Sequence, residues 1–483
     1  MATITKQVIR ELEAVVGQRY VLHHPEDLLV FEYDATIERA LPQAVVFPET
    51  ADEVSAVVKV AGRYGLPVIP RGAGTGLSGG AIAVMGGMIV ALTRMKRILE
   101  VDASNRLAVV EPGLVNLELS KAVAPLGLYY APDPSSQRAC TIGGNVAENA
   151  GGPHCLASGV TTNHVLGLEV VLANGDTLWV GGRTRDTPGY DLTGLLVGSE
   201  GTLAIVTKVV VRLMRLPEAT RTLLAIFNEL DEASAVASSI IAHGIVPAAL
   251  EMIDREVIQA VEPALHVGYP LDADAVLLIE LEGLREAVVE ESEAVLNICR
   301  EMGAREVRLA EEAAERERLW AGRKGSISAL GRLAPNYYVL DGTVPRSRLP
   351  QVLRQVNEVG RRYGFRIANV FHAGDGNLHP NILFDEREPG VVERVLDAGR
   401  EIMRLCVEAG GTITGEHGIG LEKRSYMPWI FSEVDMAAMS RLKAAFRVGE
   451  LFNPCKLFPT AGGEAHQGHI QQATRMLGSD AYV

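Results

Sequence analysis

No Cys-x-x-Cys pair occurs in this chain; its five cysteines, Cys140, Cys155, Cys299, Cys406 and Cys455, stand singly. That spacing excludes zinc ribbons, thioredoxin-like centres and ferredoxin-type clusters, so the chain holds no ordinary iron–sulfur wire of its own. It also lacks any unbroken run of the roughly 18–20 apolar residues that a membrane span requires. The first residues show no basic segment followed by an apolar stretch, so no secretory signal is read. The expectation is a cytoplasmic protein, peripheral to the inner face of the cell membrane only through partners. Positive charge is short too. Lys and Arg number 46 against 60 Asp and Glu, a formal charge of −14, which argues against nucleic acid, whose phosphates demand a basic face.

What is present is enough chain for two or three domains: 483 residues, 47% of them hydrophobic. No short repeat or low-complexity tract interrupts it. From Ala44 to about Leu216 strands and helices alternate. Ala44–Phe47 reads as a strand ended by Pro48. Thr50 then caps a helix, with Glu53 completing a capping box, and Val54, Val57, Val58 and Ala61 give that helix one apolar face. Pro67–Pro70, Met88–Leu92 and Arg106–Val110 read as further strands between glycine-rich loops. From about Glu218 the texture changes to longer units: strand Leu223–Phe227, helix Asp231–Ala242, strand Ala275–Leu281 and the acidic helix Arg285–Glu301. That alternation predicts a sheet covered on one face. The charge run Glu311–Arg318 reads as a solvated helix face. After Gly420 the chain is expected to be helical, and His466 and His469 fall in a polar tail without a role.

The segment Pro70–Ala81 contains Gly74-x-Gly76-x-x-Gly79, which matches the dinucleotide-binding pattern. A Rossmann loop must open a helix whose N-terminus faces the pyrophosphate, and this one runs into the strand-like, glycine-broken Ile82–Leu92. The Rossmann reading fails on context. Consecutive glycines can instead expose backbone N–H groups as an anion nest, with Arg71, Thr75 and Ser78 as further donors. Two more glycine segments follow, Pro132–Gly152 and Gly198–Thr207.

The sharpest signal is Asn369–Phe384. Both ends alternate in strand fashion, and Asp375-Gly376 is a type I′ turn signal. A two-residue hairpin centred there places His372 directly opposite His379, with Cβ atoms roughly 4.5–5.5 Å apart on one face. Two imidazoles at that spacing can bind one metal at about 2.0–2.1 Å each. The glycine-framed segment Gly411–Gly420 offers Glu416 and His417 for a third ligand. A His₂Glu set leaves positions open for substrate, as catalytic rather than structural zinc sites do.

Three glycine segments in one α+β region resemble the FAD domain of the vanillyl-alcohol oxidase and p-cresol methylhydroxylase superfamily. The histidine strings resemble the FAD-linked oxidase C-terminal family, whose members oxidise D-2-hydroxy acids. Asn453, within the closing Asn-Pro-x-Lys-x-x-Pro, and Trp320–Lys324 and Tyr337–Arg346 fit the same family, and the resemblance runs from about Pro42 to Pro459.

The resemblance implies a helical segment over 1–41, a two-part FAD-binding domain over 42–217 and an α+β substrate domain with an antiparallel sheet over 218–410. A C-terminal segment over 411–460 returns to the flavin, and 461–483 forms a tail. It also implies that Pro70, Arg71, Gly72, Ala73, Gly74, Thr75, Gly76, Ser78 and Gly79 wrap the pyrophosphate. Pro132, Asp133, Ser136, Thr141, Gly143, Gly144, Asn145, Asn149, Gly151, Glu200, Gly201 and Ile205 would line the isoalloxazine and ribityl chain, with Asn453 returning to the ring. The first loop has no histidine, and Cys140 and His154 are read as buried and satisfied, so non-covalent FAD is expected.

In the family, the positions of His372, His379 and Glu416 hold a divalent metal, zinc, manganese or iron. That of His417 is the base, and that of Arg323 grips the substrate carboxylate. Val339 stands near where D-2-hydroxyglutarate dehydrogenases carry a lysine, which points to glycolate or D-lactate rather than a dicarboxylate. Because this chain has no cluster of its own, a second flavoprotein subunit and an iron–sulfur subunit, or a quinone, are expected to take the electrons. The alternatives are a stand-alone D-lactate or D-2-hydroxyglutarate dehydrogenase, a catalytically silent FAD-binding subunit, and an NAD(P)H-dependent flavin reductase, the last disfavoured by the absent Rossmann unit.

Overall fold

The computed structural model describes residues 3–184, 188–447, 449 and 451–459; the tail with His466 and His469 lies outside the described residues. Its contacts divide the chain into two compact units, one of residues 1–151, 160–216 and 416–483, the other of 152–159 and 217–415. Each combines helices with largely antiparallel sheet, the α+β class expected.

In the first unit, strands Ala44–Val46 and Val68–Arg71 flank Met88–Ala91 in parallel, and Val21–Leu22 adds an antiparallel edge. The helix Ala51–Tyr64 covers this sheet because Val54, Val57, Val58 and Ala61 recur at helical spacing and bury completely among Val46, Val68 and Met88. Thr50 caps it, accepting from the Glu53 N–H at 3.2 Å. The second half of the expected capping box lands one residue early: the Glu53 carboxylate accepts from Glu49 N at 2.6 Å. A five-stranded antiparallel sheet follows, in the order Ile98–Asp102, Leu107–Val110, Ile205–Arg212, Val165–Val171, Thr177–Gly181. The last described stretch docks on the first sheet: Val68 N donates to Leu451 O at 2.7 Å, Asn453 N donates to Val68 O at 2.9 Å, and Phe452 is fully buried. This return brings Asn453 and Lys456 onto the glycine segment.

The second unit is built on a nine-stranded antiparallel sheet whose main path runs Glu306–Ala310, Ala219–Phe227, Ala275–Gly283, Ala249–Asp254, Arg366–His372, Asn377–Leu378, Gly342–Thr343, with Pro380–Phe384 and Asn336–Val339 branching from it. The expectation of one covered face is corrected. Every residue of Ala249–Asp254 and of Pro380–Phe384 is buried. Successive side chains of a strand point to opposite faces: Met252 meets Ser234 of the helix Leu230–Ala242, and Glu251 meets Arg323 of the helix Ala313–Ala329. Helices therefore lie on both sides. Among the described residues no helix is long and apolar enough to cross a membrane.

Candidate functional site

In the first unit the strand Val68–Arg71 ends in bends and turns up to Gly87, with no helix opened, so the loop is not of Rossmann type. Gly74 has φ +71°, and a Cβ there would stand 2.2 Å from Arg71 Nη2; the arginine folds over a position only glycine fills without strain. A Cβ on Gly72 would meet Thr141 Oγ1 at 2.3 Å. The first glycine segment thus packs directly on the second. Ile142–Glu148 of that second segment is a short helix rather than a loop, capped by Thr141, with Asn149 as its left-handed C-cap. Asn145 Nδ2 donates to Asn116 Oδ1 at 3.2 Å and Asn116 Nδ2 to Pro132 O at 2.9 Å, which ties Pro132 to the same helix.

A cluster of titratable groups, unforeseen in the sequence apart from Arg71 and Glu200, underlies this region: the buried Asp34, Arg71, Glu200 and Lys456 with the half-buried Glu148. Lys456 Nζ donates to the carbonyls of Gly80 and Ile82 at 2.6 and 2.8 Å, and burial pushes it down to about 7. Burial and then the neighbouring Glu200 push Glu148 well above the ordinary carboxyl value; Ser78 Oγ lies 3.3 Å from both its oxygens. Glu200 spends both carboxylate oxygens on the N–H groups of Ile419 and Gly420, at 2.7 and 2.6 Å. Its role here is to pin the chain that follows Glu416 and His417. Asn453 Nδ2 donates to Gly80 O and Glu200 O at 2.9 and 2.8 Å, while its buried Oδ1 meets no donor among the described residues. Glycine cradles, a buried arginine and an orphaned amide oxygen fit an anionic, polar cofactor.

In the second unit His372 and His379 come together, though not in the expected register. The observed pairs are His372 with Asn377 and Asn369 with Pro380, so the connection is the four residues 373–376. Gly376 alone of the expected turn pair has positive φ, +81°, and Asp375 Oδ1 instead accepts from Asn377 N at 3.0 Å. That shifts His379 by two positions, to a diagonal rather than a direct neighbour. A shift of two keeps a side chain on its face, and the rings stand 5.2 Å apart, edge to face.

Hydrogen bonds fix both tautomers. His372 Nδ1–H donates to Glu251 Oε1 at 2.7 Å and His379 Nδ1–H to Leu340 O at 3.2 Å; a carboxylate and a carbonyl can only accept. A ring with its proton on Nδ1 carries its lone pair on Nε2, the arrangement that hydrogen-bond acceptors behind the ring impose on metal-ligating histidines. Arg323, 4% exposed, donates through Nε to Glu251 Oε2 at 2.6 Å. Burial alone would raise the Glu251 carboxyl, but the Arg323 guanidinium and the hydrogen bonds from His372 and Arg323 outweigh it and hold it below the ordinary value. Asp341, fully buried, accepts from Thr414 Oγ1 at 2.6 Å and from Gly415 N at 3.1 Å, and the side chain of Asn377 packs against Gly415, where a Cβ would be 2.4 Å away. The residues bonded next are Glu416 and His417, both half-buried. Glu251 and Asp341 were missed in the sequence: neither stands near a histidine in the chain, and only strand pairing brings them there.

Residues 216–457 match the family described as FAD linked oxidases, C-terminal domain, and residues 42–181 match the FAD binding domain. The glycolate oxidase subunit GlcD of Escherichia coli K12 is 47% identical over 471 residues, covering 96% of this chain and 94% of that one. A D-lactate dehydrogenase of Archaeoglobus fulgidus is 34% identical over 434 residues, covering 88% and 95%. The crystal structure of p-cresol methylhydroxylase with substrate bound has a TM-score of 0.77 at 16% identity, covering 92% of this chain and 96% of that one, a likeness of fold. With an FAD binding domain followed by this C-terminal domain, and with such relatives over nearly its whole length, the chain belongs to the FAD-linked oxidases, a family of flavin-dependent oxidoreductases.

Proposed function

We propose that this chain oxidises a small D-2-hydroxy acid, glycolate or D-lactate, to the 2-oxo acid, using non-covalent FAD and a divalent metal. The observation that carries the reading is the pair His372 and His379, both with Nδ1 engaged and Nε2 as the lone-pair nitrogen, on the sheet that also holds Arg323 through Glu251. Relatives named for glycolate oxidation and D-lactate dehydrogenation support the substrate class. Val339, half-buried on the strand Asn336–Val339, supports a monocarboxylate, since it offers no charge to a distal carboxylate.

Arg71 to Gly76, Ser78 and Gly79 would hold the FAD pyrophosphate; Pro132 to Gly151, Gly201, Ile205 and Asn453 would line the rest. Cys140 is buried, with its thiol pushed up by burial, and His154 is engaged with Glu280 at 3.2 Å, which supports a non-covalent cofactor. Bound FAD supplies a two-electron acceptor for the α-hydrogen and its bonding pair. His372, His379 and Glu416 would hold the metal, which would supply Lewis acidity toward the substrate hydroxyl. The chain's own residues do the rest. Arg323 pairs with the substrate carboxylate in a charge-assisted bond and so orients the α-carbon. His417 takes the hydroxyl proton on its imidazole. Asp341 and Glu200 hold the backbone on either side of Glu416 and His417. The hydroxyl loses its proton to His417, the α-carbon loses hydride, and the 2-oxo acid remains.

Electrons then leave for partner subunits, a second flavoprotein and an iron–sulfur protein, or for a quinone, because the scattered cysteines offer no cluster. His417→Ala tests the assignment: the variant retains FAD but its flavin is not bleached by glycolate or D-lactate under anaerobic conditions. Rapid bleaching of that variant removes His417 from the role of base.

A further inference from the structure

Glu251 sits at the centre of the nine-stranded sheet, on Ala249–Asp254, between Ala275–Gly283 and Arg366–His372. It is fully buried and pairs in register with His372. Its two carboxylate oxygens go to two different functional side chains: Oε1 accepts from His372 Nδ1 at 2.7 Å, and Oε2 from Arg323 Nε at 2.6 Å. A carboxylate so deep in a sheet is costly unless each oxygen is satisfied, and both oxygens here are spent on site residues.

We propose that Glu251 is a positioning residue that prepares two ligands at once, the metal through His372 and the substrate carboxylate through Arg323. On the His372 side, accepting the Nδ1 proton fixes the tautomer, points Nε2 away from the carboxylate and strengthens that nitrogen as a donor to metal; loss of such a partner commonly costs 10–100-fold in metal affinity. On the Arg323 side the geometry selects an edge of the guanidinium. Nε is taken by Glu251, and neither Nη amino group hydrogen-bonds to any acceptor among the described residues. The Nη1/Nη2 edge is left for a carboxylate, which can bind it with two parallel hydrogen bonds. Glu251 thereby sets the spacing between the guanidinium edge that would take the carboxylate and the His372 nitrogen that would hold the metal.

The inference rests on the proposed reading of the site, and Glu251→Gln separates the two. The amide keeps the shape and one acceptor but brings N–H groups against a donor. Purified flavin-loaded wild type and variant are compared in three measurements: the Zn²⁺ dissociation constant by equilibrium dialysis, KM for glycolate at saturating Zn²⁺, and FAD content with melting temperature. The expected result is a 10–100-fold weaker Zn²⁺ constant and a KM raised by roughly tenfold or more through loss of the charge-assisted pairing, with FAD content retained. Wild-type values for both ligands in the variant overturn the role of Glu251 alone. Loss of both only together with flavin and folding in Glu251→Gln, repeated in the charge-preserving Glu251→Asp, shows a purely structural carboxylate and also overturns it. If Glu251→Asp folds where Glu251→Gln does not, weakened Zn²⁺ binding and raised KM in it support the role, and unchanged values refute it. Should wild type itself bind no Zn²⁺, the reading of the site fails, and the inference with it.

Discussion

A neutral histidine offers a metal one of two nitrogens, and hydrogen bonds decide which. Here an acceptor-only oxygen stands at Nδ1 of each ring, so in both His372 and His379 Nε2 is the nitrogen left for the proposed metal. The glycine segment shows the same economy at Gly74. Its φ of +71° and the Arg71 guanidinium over its Cα leave no place for a side chain. Gly74→Ala is predicted to cost about 1–2 kcal/mol of backbone strain and to push Arg71 aside, so the FAD dissociation constant rises while the melting temperature falls by a few degrees. Fluorescence titration of the apoprotein with FAD checks this, and unchanged FAD affinity contradicts the cradle. At this scale the histidines and Arg71 were legible because spacing and glycine context sit in the string itself. Glu251, Asp341, Glu148 and Lys456 were not. Glu251 lies 121 residues from His372, and a glutamate on a strand carries no mark of burial until its neighbours are known.

Secondary structure came through more clearly than register. The helix Arg285–Glu301 and the strand Met88–Ala91 fall where hydrophobic pattern places them. The hairpin of Arg366–His372 was expected with a two-residue turn, and the chain uses four, with only Gly376 in the left-handed region. The site survives this error because it spans an even number of positions: both histidines stay on one face, reaching each other diagonally. A one-residue slip would have sent His379 to the opposite face. Asp341 acts on an element too, gathering Thr414 Oγ1 and Gly415 N just ahead of Glu416. Asp341→Asn keeps an acceptor for one of these donors but not both. It is predicted to lower kcat for glycolate at least tenfold, by letting the Glu416–His417 segment drift, with FAD content unchanged; misplacement by about 1 Å costs on the order of 10²-fold. Wild-type kcat in that variant contradicts a positioning role.

Across the whole molecule, the negative charge of −14 sits over interiors that keep their own positive groups: Arg71 buried in one unit, Arg323 in the other. An anionic substrate is compatible with an acidic surface where such a local charge receives it. The second face of the large sheet was not legible in the sequence, because Ala249–Asp254 is buried at every position, the carboxylates Glu251 and Asp254 included, and burial on both faces leaves no alternating apolar period to read. The central claim, oxidation of a 2-hydroxy acid by a metal-assisted flavin site, is tested most directly by anaerobic absorbance near 450 nm on the flavin-loaded protein. Glycolate, D-lactate, L-lactate and D-2-hydroxyglutarate are added in turn, before and after chelation. The account predicts bleaching by glycolate or D-lactate that chelation abolishes and added metal restores. Bleaching that persists unchanged in the metal-free protein, or none with any of these acids, would contradict it.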